Sequence, residues 1–344
     1  MNVLSLFDGI SCGMVALERA GIPVEKYSAY EIDKYAITVS EKNYPEIERH
    51  GDVFFGNFKK YKGCDLLIGG SPCTYWSVAK KGRETTPDGE GFKLFMQYIR
   101  ALEECRPKYF LYENNNSIHK DIKTEISKFL GVEPIMINSA LVSAQQRKRC
   151  YWTNIPNVVQ PKDKEIYLKD IIVSGIPWQD KSYAYTTRCQ AATFKDTLER
   201  HRHTMIAEPV ILQRSHGYNK GGVKQGKCPT FTATGSFVFN NLVAEPVRIG
   251  QIGKYQQDRV YSVYGKSVSL KANGGGGGAK TGLYKIDLPD GDYIIRKLYP
   301  IEAERLQTLP DNYTEGISNT QRYKCIGNGW TVDVIAHILG FISK

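Results

Sequence analysis

A cysteine follows glycine, serine and proline in Gly70-Ser71-Pro72-Cys73, directly after an apolar run over residues 65–68. The run reads as a short buried strand, which Gly69 and Gly70 break. Pro72 fixes its own φ and drives Ser71 towards an extended backbone, so the chain itself holds the direction of Cys73. A loop just past a buried strand is where open α/β sheets carry ligands and catalytic groups. By itself a cysteine is most often a small apolar core residue. Its thiolate is nevertheless the strongest nucleophile a side chain offers near neutral pH. Glu113 closes the run over 109–112 and opens the polar stretch Asn114-Asn115-Asn116. It is either a surface carboxylate or an acid within reach of Cys73, since both stand past strand ends of one sheet. Arg147 and Arg149 fall on one face of an expected strand, with Lys148 on the other. Such a pair is more often solvated or phosphate-bound than catalytic.

The elements that must position these groups alternate. Residues 3–7 read as a first strand, followed by the turn Asp8-Gly9-Ile10-Ser11-Cys12-Gly13. A helix over 14–20 is stopped by Gly21 and Pro23. A second strand covers 27–32, and Asp33 can cap the helix after it. Further strands are expected at 65–68, 109–112 and 134–138, with helices at 91–105 and 120–130 between them. This predicts a doubly wound α/β domain with a mostly parallel, Rossmann-like sheet. The first turn is glycine-rich but is neither GxGxxG nor a P-loop, and Asp8 would repel a pyrophosphate. Glu31 ends the second strand, where an acid accepts hydrogen bonds from ribose hydroxyls. Turn and acid together describe an adenosyl ligand without a pyrophosphate, although a plain strand-turn-helix junction is as good a reading.

With 344 residues and 41% hydrophobic content, the chain can build two domains with their own cores. Net charge of +10 points to a polyanionic partner. No apolar run approaches the ~18 residues of a membrane span, and the first residues enter a strand with no basic leader, so neither membrane nor export signal is expected. Eight cysteines contain no CxxC pair, which suits reduced thiols in a cytoplasmic protein. His201 and His203 lack a second ligand pair, so no metal is expected. After about residue 156 helical periodicity fades. Ala207-Glu208-Pro209-Val210 recurs as Ala244-Glu245-Pro246-Val247, each copy leading to a polar segment and then to residues 227–233 or 266–272. These read as two related β modules. Asn273 with the glycines at 274–278 reads as a mobile loop near a ligand. Basic and hydrogen-bonding side chains interleaved with Tyr and Phe suit DNA contact. From Ile294 a helical pattern returns, and an apolar helix over 332–342 reads as part of the first domain. The expected organisation is a catalytic and cofactor-binding domain over 1–158, an inserted β-rich recognition domain over 159–292, and a segment over 293–344 that completes the first.

Taken in order, Phe7-Asp8-Gly9 with Gly13, Glu31, Gly51-Asp52-Val53, Gly70-Ser71-Pro72-Cys73, Glu113-Asn114, Gln145-x-Arg147-x-Arg149, the stretch 296–310 and Gly327-Asn328-Gly329 resemble the DNA (cytosine-5)-methyltransferases. The likeness spans the chain outside the variable region, and the Ser-Pro-Cys loop is similar to the branch of the animal de novo enzymes and their phage and bacterial relatives. Two positions depart from the pattern: Asn115 stands where valine is usual, and Thr74 replaces the glutamine after the cysteine. The resemblance implies S-adenosylmethionine as methyl donor. Phe7, Asp8, Gly9, Ile10, Ser11 and Gly13 would surround its methionine part, with Pro72 beside it. Glu31 would hold the ribose, Ile32 and Asp52 the adenine, and Asn328 with Trp330 would close the pocket. Cys73 would attack C6 of a flipped cytosine, Glu113 would donate to N3, and Arg147 and Arg149 would hold the base. The partner implied is double-stranded DNA, bound by a cytoplasmic monomer of bacterial or phage type, with a restriction endonuclease as a companion in some systems. A transfer-RNA cytosine-5 methyltransferase of this fold would show Pro-Pro-Cys and Cys-Phe-Thr, and neither occurs. A regulatory subunit without activity would be expected to lose the cysteine, the glutamate or the cofactor turn, and all three are kept.

Overall fold

The structure is a computed structural model that describes residues 1–77, 81–177, 179–187, 203–213, 222–225, 241–242, 248–251, 259–261 and 293–342. Cys73 and the described residues between 208 and 296 are described by backbone alone. The chain divides into two compact units, one of Met1–Ile166, Ala184–Thr187 and Ala303–Lys344, the other of Tyr167–Tyr183 and Arg188–Glu302.

The first unit is organised on a seven-stranded sheet. Its strands are β1 (Asn2–Leu6), β2 (Lys26–Tyr30), β3 (Glu48–His50), β4 (Leu66–Gly69), β5 (Tyr109–Asn115), β6 (Ile135–Asn138) and β7 (Lys148–Thr153), in the spatial order β3-β2-β1-β4-β5-β7-β6. The pairs from β3 to β5 are parallel, while β7 runs antiparallel to β5 and β6. The four residues of β4 are all buried, as a central strand covered on both faces must be. Alternate side chains feed two cores. Val3, Leu66, Ile68 and Leu111 join a cluster with Val15 and Leu17 of helix α1 (Cys12–Arg19) and Val39 of α2 (Lys34–Asn43). Leu4, Leu6, Leu67 and Tyr112 join one with Phe95 and Ile99 of α3 (Glu90–Cys105) and Ile122 of α4 (Lys120–Leu130). Helices thus cover both faces, the doubly wound arrangement expected. From Pro300 three helices follow: α5 (Pro300–Leu306), α6 (Asn319–Asn328) and α7 (Val332–Leu339). Ile335, Ile338 and Leu339 of α7 pack into the same core as α1.

Local signals set these boundaries. Asp33 caps α2 by accepting from the Tyr35 N–H at 2.9 Å, and α4 ends where Gly131 takes φ 69°. At Gly13 the reason for glycine is packing: a Cβ would overlap Ile68 of β4 and stand 2.7 Å from the Tyr27 hydroxyl. Strand limits differ from those expected by one or two residues, the usual scatter at strand ends, with two larger departures. β5 does not stop before Glu113 but runs on to Asn115, because β7 pairs Tyr151, Cys150 and Arg149 against Glu113, Asn114 and Asn115. Residues Tyr293–Lys297 form a strand where a helical pattern was expected from Ile294; adjacent Ile294 and Ile295 favour a strand paired with Met205–Gln213, and helix begins only at Pro300.

In the second unit the strand Met205–Gln213 pairs antiparallel with Gly222–Gln225, Asn241–Leu242 and Tyr293–Lys297, and Arg248–Gln251 pairs with Arg259–Tyr261. Its described elements are therefore almost wholly β. His201, the repeat copy at 244–247, the segments 227–233 and 266–272 and the glycines at 274–278 lie outside the described residues.

Candidate active site

Parallel strands bring the C-terminal ends of β1, β2 and β4 to one edge of the sheet. In the turn after β1, Phe7, Gly9 and Ser11 take φ of 57°, 61° and 58°. Two non-glycine residues in this left-handed region store strain of a kind concentrated at ligand sites. Asp8 braces the turn from inside: its carboxyl accepts from the hydroxyls of Ser5 (2.6 Å), Ser11 (2.6 Å) and Tyr27 (2.7 Å). Burial raises the Asp8 pKa, against the pull of these hydroxyls and of Arg49. The carboxyl thus faces three internal donors, a bracing role that its sequence reading as a repeller of pyrophosphate did not include.

Glu31 follows β2 and accepts from the N–H groups of Gly9 (2.7 Å), Ile32 (2.8 Å) and Asp33 (2.8 Å). Burial pushes its pKa up and the three N–H groups draw it down. Beside it the Ile32 side chain is 72% exposed, an apolar surface that a flat base could cover. Asp52 caps the turn Val53–Phe55 through the Phe54 N–H at 3.0 Å. The Tyr313 hydroxyl donates to the Ile10 carbonyl at 2.7 Å, tying the turn after β1 to the C-terminal segment. An oriented carboxylate, an exposed aliphatic side chain and a turn from Phe7 to Gly13 without Lys or Arg fit an adenosyl group that carries no phosphate.

The loop after β4 is anchored at both ends. The Ser71 and Tyr112 hydroxyls are 2.7 Å apart, and Asn114 Nδ2 donates to the Ser71 carbonyl at 3.0 Å. Cys73 then opens the single turn Cys73–Tyr75. Beyond it, buried Trp76 donates to Glu84 at 3.0 Å, and Glu84 accepts from the Gly91 N–H at the start of α3. Sequence reading named Cys73 but missed these supports, although Ser71 and Asn114 belong to the strings it singled out.

Glu113 lies opposite Tyr151 on β7, so Arg149, two residues earlier, is its diagonal neighbour on the same face. Arg149 Nε stands 3.0 Å from Glu113 Oε1, with both side chains only 12% exposed. Trp330 Nε1 donates to the other oxygen, Oε2, at 3.0 Å. A Cβ on Gly70 would lie 2.8 Å from the Glu113 carbonyl oxygen and 3.1 Å from Oε2. Glycine there lets the root of the cysteine loop close onto the carboxylate.

The two arginines do not act as one pair. The strand is interrupted at Arg147, so alternation does not put it beside Arg149. Buried Arg147 donates to the carbonyls of Tyr185 (2.8 Å), Gly329 (3.0 Å) and Gly327 (3.3 Å). Gln145 works in parallel, giving Nε2 to the Leu306 carbonyl at 2.6 Å and taking the Tyr185 N–H at 3.1 Å. Asn328 is exposed at the end of α6.

Among the other described cysteines, burial drives Cys12 and Cys325 up to about 12 and raises Cys150, so none is a ready thiolate. A hydrogen bond with Cys105 lowers Cys64, but Cys64 precedes β4 and so lies at the opposite end of that strand from Cys73. Among the described residues no group of three or more His, Cys, Asp or Glu could hold a metal, and no helix is long and apolar enough to cross a membrane.

A model of the family described as C-5 cytosine-specific DNA methylase matches residues 1–344. The chain is 27% identical to the type II methyltransferase M.HhaI of Haemophilus parahaemolyticus, over 98% of this chain and 93% of that one. It is 26% identical to the orphan methyltransferase M.SPRI of Bacillus phage SPR, over 98% and 96%. Among solved structures, the Entamoeba histolytica methyltransferase EhMeth shares the fold, with a TM-score of 0.59, 15% identity and coverage of 99% and 97%.

Proposed function

The chain belongs to the C-5 cytosine-specific DNA methylase family and is a DNA cytosine-5 methyltransferase, and from this premise we propose that it methylates a cytosine flipped out of a specific duplex sequence, with Cys73 as nucleophile and S-adenosylmethionine as donor. The observation that carries this reading is the Glu113 carboxyl, held by Arg149 and Trp330 against Gly70 at the root of the cysteine loop.

C5 of cytosine is a poor nucleophile. Addition of the Cys73 thiolate to C6 forms an S–C6 bond and turns C5 into an enamine carbon that can attack. Glu113, protonated, donates to N3 and stabilises the adduct. Arg149 holds Glu113 and lies where it can also meet the polar edge of the base. Arg147 acts at one remove, fixing Gly327 and Gly329 by their carbonyls. S-adenosylmethionine, when bound, supplies the methyl that C5 takes up. In this reading Glu31 would hold its ribose, Ile32 and Asp52 its adenine, and the turn from Phe7 to Ser11 with Pro72, Asn328 and Trp330 the remainder; Asp8 and Gly13 would serve the same pocket by bracing and packing. The C5 proton is then lost to solvent water, and the electrons of that C–H bond re-form the C5–C6 double bond and expel the Cys73 thiolate. Because C5 and C6 are covered inside a duplex, the nucleotide must leave the stack, at a cost of a few kcal/mol. The second unit, which includes most of the expected recognition region, is assigned to reading the sequence. The basic surface positions the phosphates, so affinity falls with salt.

Bisulfite sequencing of DNA from cells expressing the protein tests the activity and yields the target sequence. Duplex DNA with 5-fluorocytosine at that target tests the chemistry. It lacks the C5 proton, so the methylated adduct to Cys73 should accumulate; release of methylated fluorinated DNA without an adduct refutes covalent catalysis.

A further inference from the structure

Trp330 entered the site as part of a cofactor pocket, but its indole N–H is directed at the acid. We propose that Trp330 is a positioning residue for Glu113, and that the C-terminal loop holding it sets the orientation of the carboxyl that acts on the base. The proposal rests on the assignment of Glu113 made above. A carboxyl bound at one oxygen can still turn about that contact. Arg149 Nε stands 3.0 Å from Oε1 as an ion pair, and Trp330 Nε1 donates a directed hydrogen bond to Oε2 at 3.0 Å, so a contact on each oxygen fixes the plane of the carboxyl. Each carboxyl oxygen has more than one lone pair, so a site remains to carry the proton that is donated to N3.

The indole is itself held. Its ring packs against the core shared by α1 and α7. Arg147 grips the carbonyls of Gly327 and Gly329 just before it, and Gln307 Nε2 donates to the Ile326 carbonyl at 3.0 Å. Thr331, just after it, donates to Gln307 Oε1 at 2.8 Å. The approach also needs Gly70, where a Cβ would stand 3.5 Å from Trp330 Nε1 and 3.1 Å from Glu113 Oε2. A ring serving only to cover a ligand would not need its N–H on a part-buried carboxylate 217 residues away in sequence.

Trp330→Phe removes the donor and keeps an aromatic ring. Single-turnover methylation, and adduct formation on 5-fluorocytosine DNA, should both slow by about 10- to 100-fold, the range for losing a hydrogen bond to a charged group. S-adenosylmethionine affinity, measured by calorimetry, should change by less than about threefold, within the spread of a lost packing contact. In a Glu113→Ala background, the same change should slow the reaction by less than about threefold, because its target is gone. A readout independent of turnover is the indole N–H resonance of Trp330, which should shift in Glu113→Ala protein with its fold intact. Fully additive effects, a loss confined to cofactor affinity, or an unmoved indole resonance overturns the proposal. If wild type forms no adduct on fluorinated DNA, the assignment of Glu113 fails as well; if it does and Trp330→Phe is unimpaired, only the role of Trp330 fails.

Discussion

Gly70→Ala is the smallest change that tests whether the cysteine loop and the acid are set against each other. The new Cβ would stand 2.8 Å from the Glu113 carbonyl oxygen. Close C–H···O contacts sit at about 3.3–3.6 Å, so some atom must retreat by roughly 0.5 Å. The carbonyl belongs to β5, paired to β4 on one side and β7 on the other, and cannot give way cheaply. The strain falls instead on the loop from Gly70 to Cys73, or on the Glu113 carboxyl, 3.1 Å from the same Cβ. Misplacement by about 1 Å costs about 10²-fold in rate, so half that shift should cost about 10-fold in single-turnover methylation. Overpacking should lower stability by about 1–3 kcal/mol in thermal or denaturant unfolding. Cofactor affinity should fall less than the rate, since Glu31 and Ile32 follow β2, across β1 from the strained loop, and of the cofactor-side residues only Pro72 and Trp330 lie near the new Cβ. A Gly70→Ala protein with the wild-type rate and stability would show that loop and carboxylate do not meet as described.

Cys73→Ser should abolish turnover and adduct trapping while keeping S-adenosylmethionine binding, because a hydroxyl ionises far less readily than a thiol near neutral pH; full methylation by this variant rules out the nucleophile assigned. Glu113→Gln should slow adduct formation by about 10²–10⁴-fold, the range for a lost general acid, with an added penalty because its amide NH2 must face either Arg149 or Trp330, both donors. Burial raises the Asp8 pKa, so the folded chain holds that proton more tightly than the unfolded one. Its contribution therefore favours folding at low pH and is lost as pH rises from the ordinary carboxylate value through the raised one. The melting temperature of wild type should fall relative to Asp8→Asn over that window, on top of a constant loss from the altered hydroxyl contacts; parallel pH profiles contradict this. Exchanging residues 159–292 for the corresponding region of a relative should change the methylated sequence and leave cofactor affinity alone, and a folded chimera with unchanged sequence preference refutes the assignment of recognition to that region.

The parallel half of the sheet was legible because its signals are local. Short apolar runs, Asp33 as a cap and Gly21 as a stop act within a few residues of themselves. What needed a partner strand was not. Glu113 reads as a strand end because the apolar run stops at Tyr112, yet β7 carries the pairing three residues further. Arg147 and Arg149 read as a pair only while the strand is assumed continuous, and its break at Arg147 sends the first to backbone carbonyls and the second to Glu113. The isoleucines at 294 and 295 joined a strand because Met205–Gln213 was there to receive them. The cofactor-side candidates were named by type and place, but that Asp8 turns inward and Trp330 reaches the acid depends on side chains far apart in sequence.

The order of synthesis gives the fold of the C-terminal segment a further meaning. The indole beside Glu113, two of the carbonyls that accept hydrogen bonds from buried Arg147 and the Leu306 carbonyl taken by Gln145 all follow residue 302. A chain ending before residue 303 would keep the cysteine loop and the turn after β1 but would lack two acceptors of Arg147 and the hydrogen bond to Glu113 Oε2. The ribosome must deliver this last stretch before the sheet edge becomes an enzyme. A polypeptide interrupted after the recognition region is made would then be released unable to mark DNA, so that incomplete copies leave no trace on the genome.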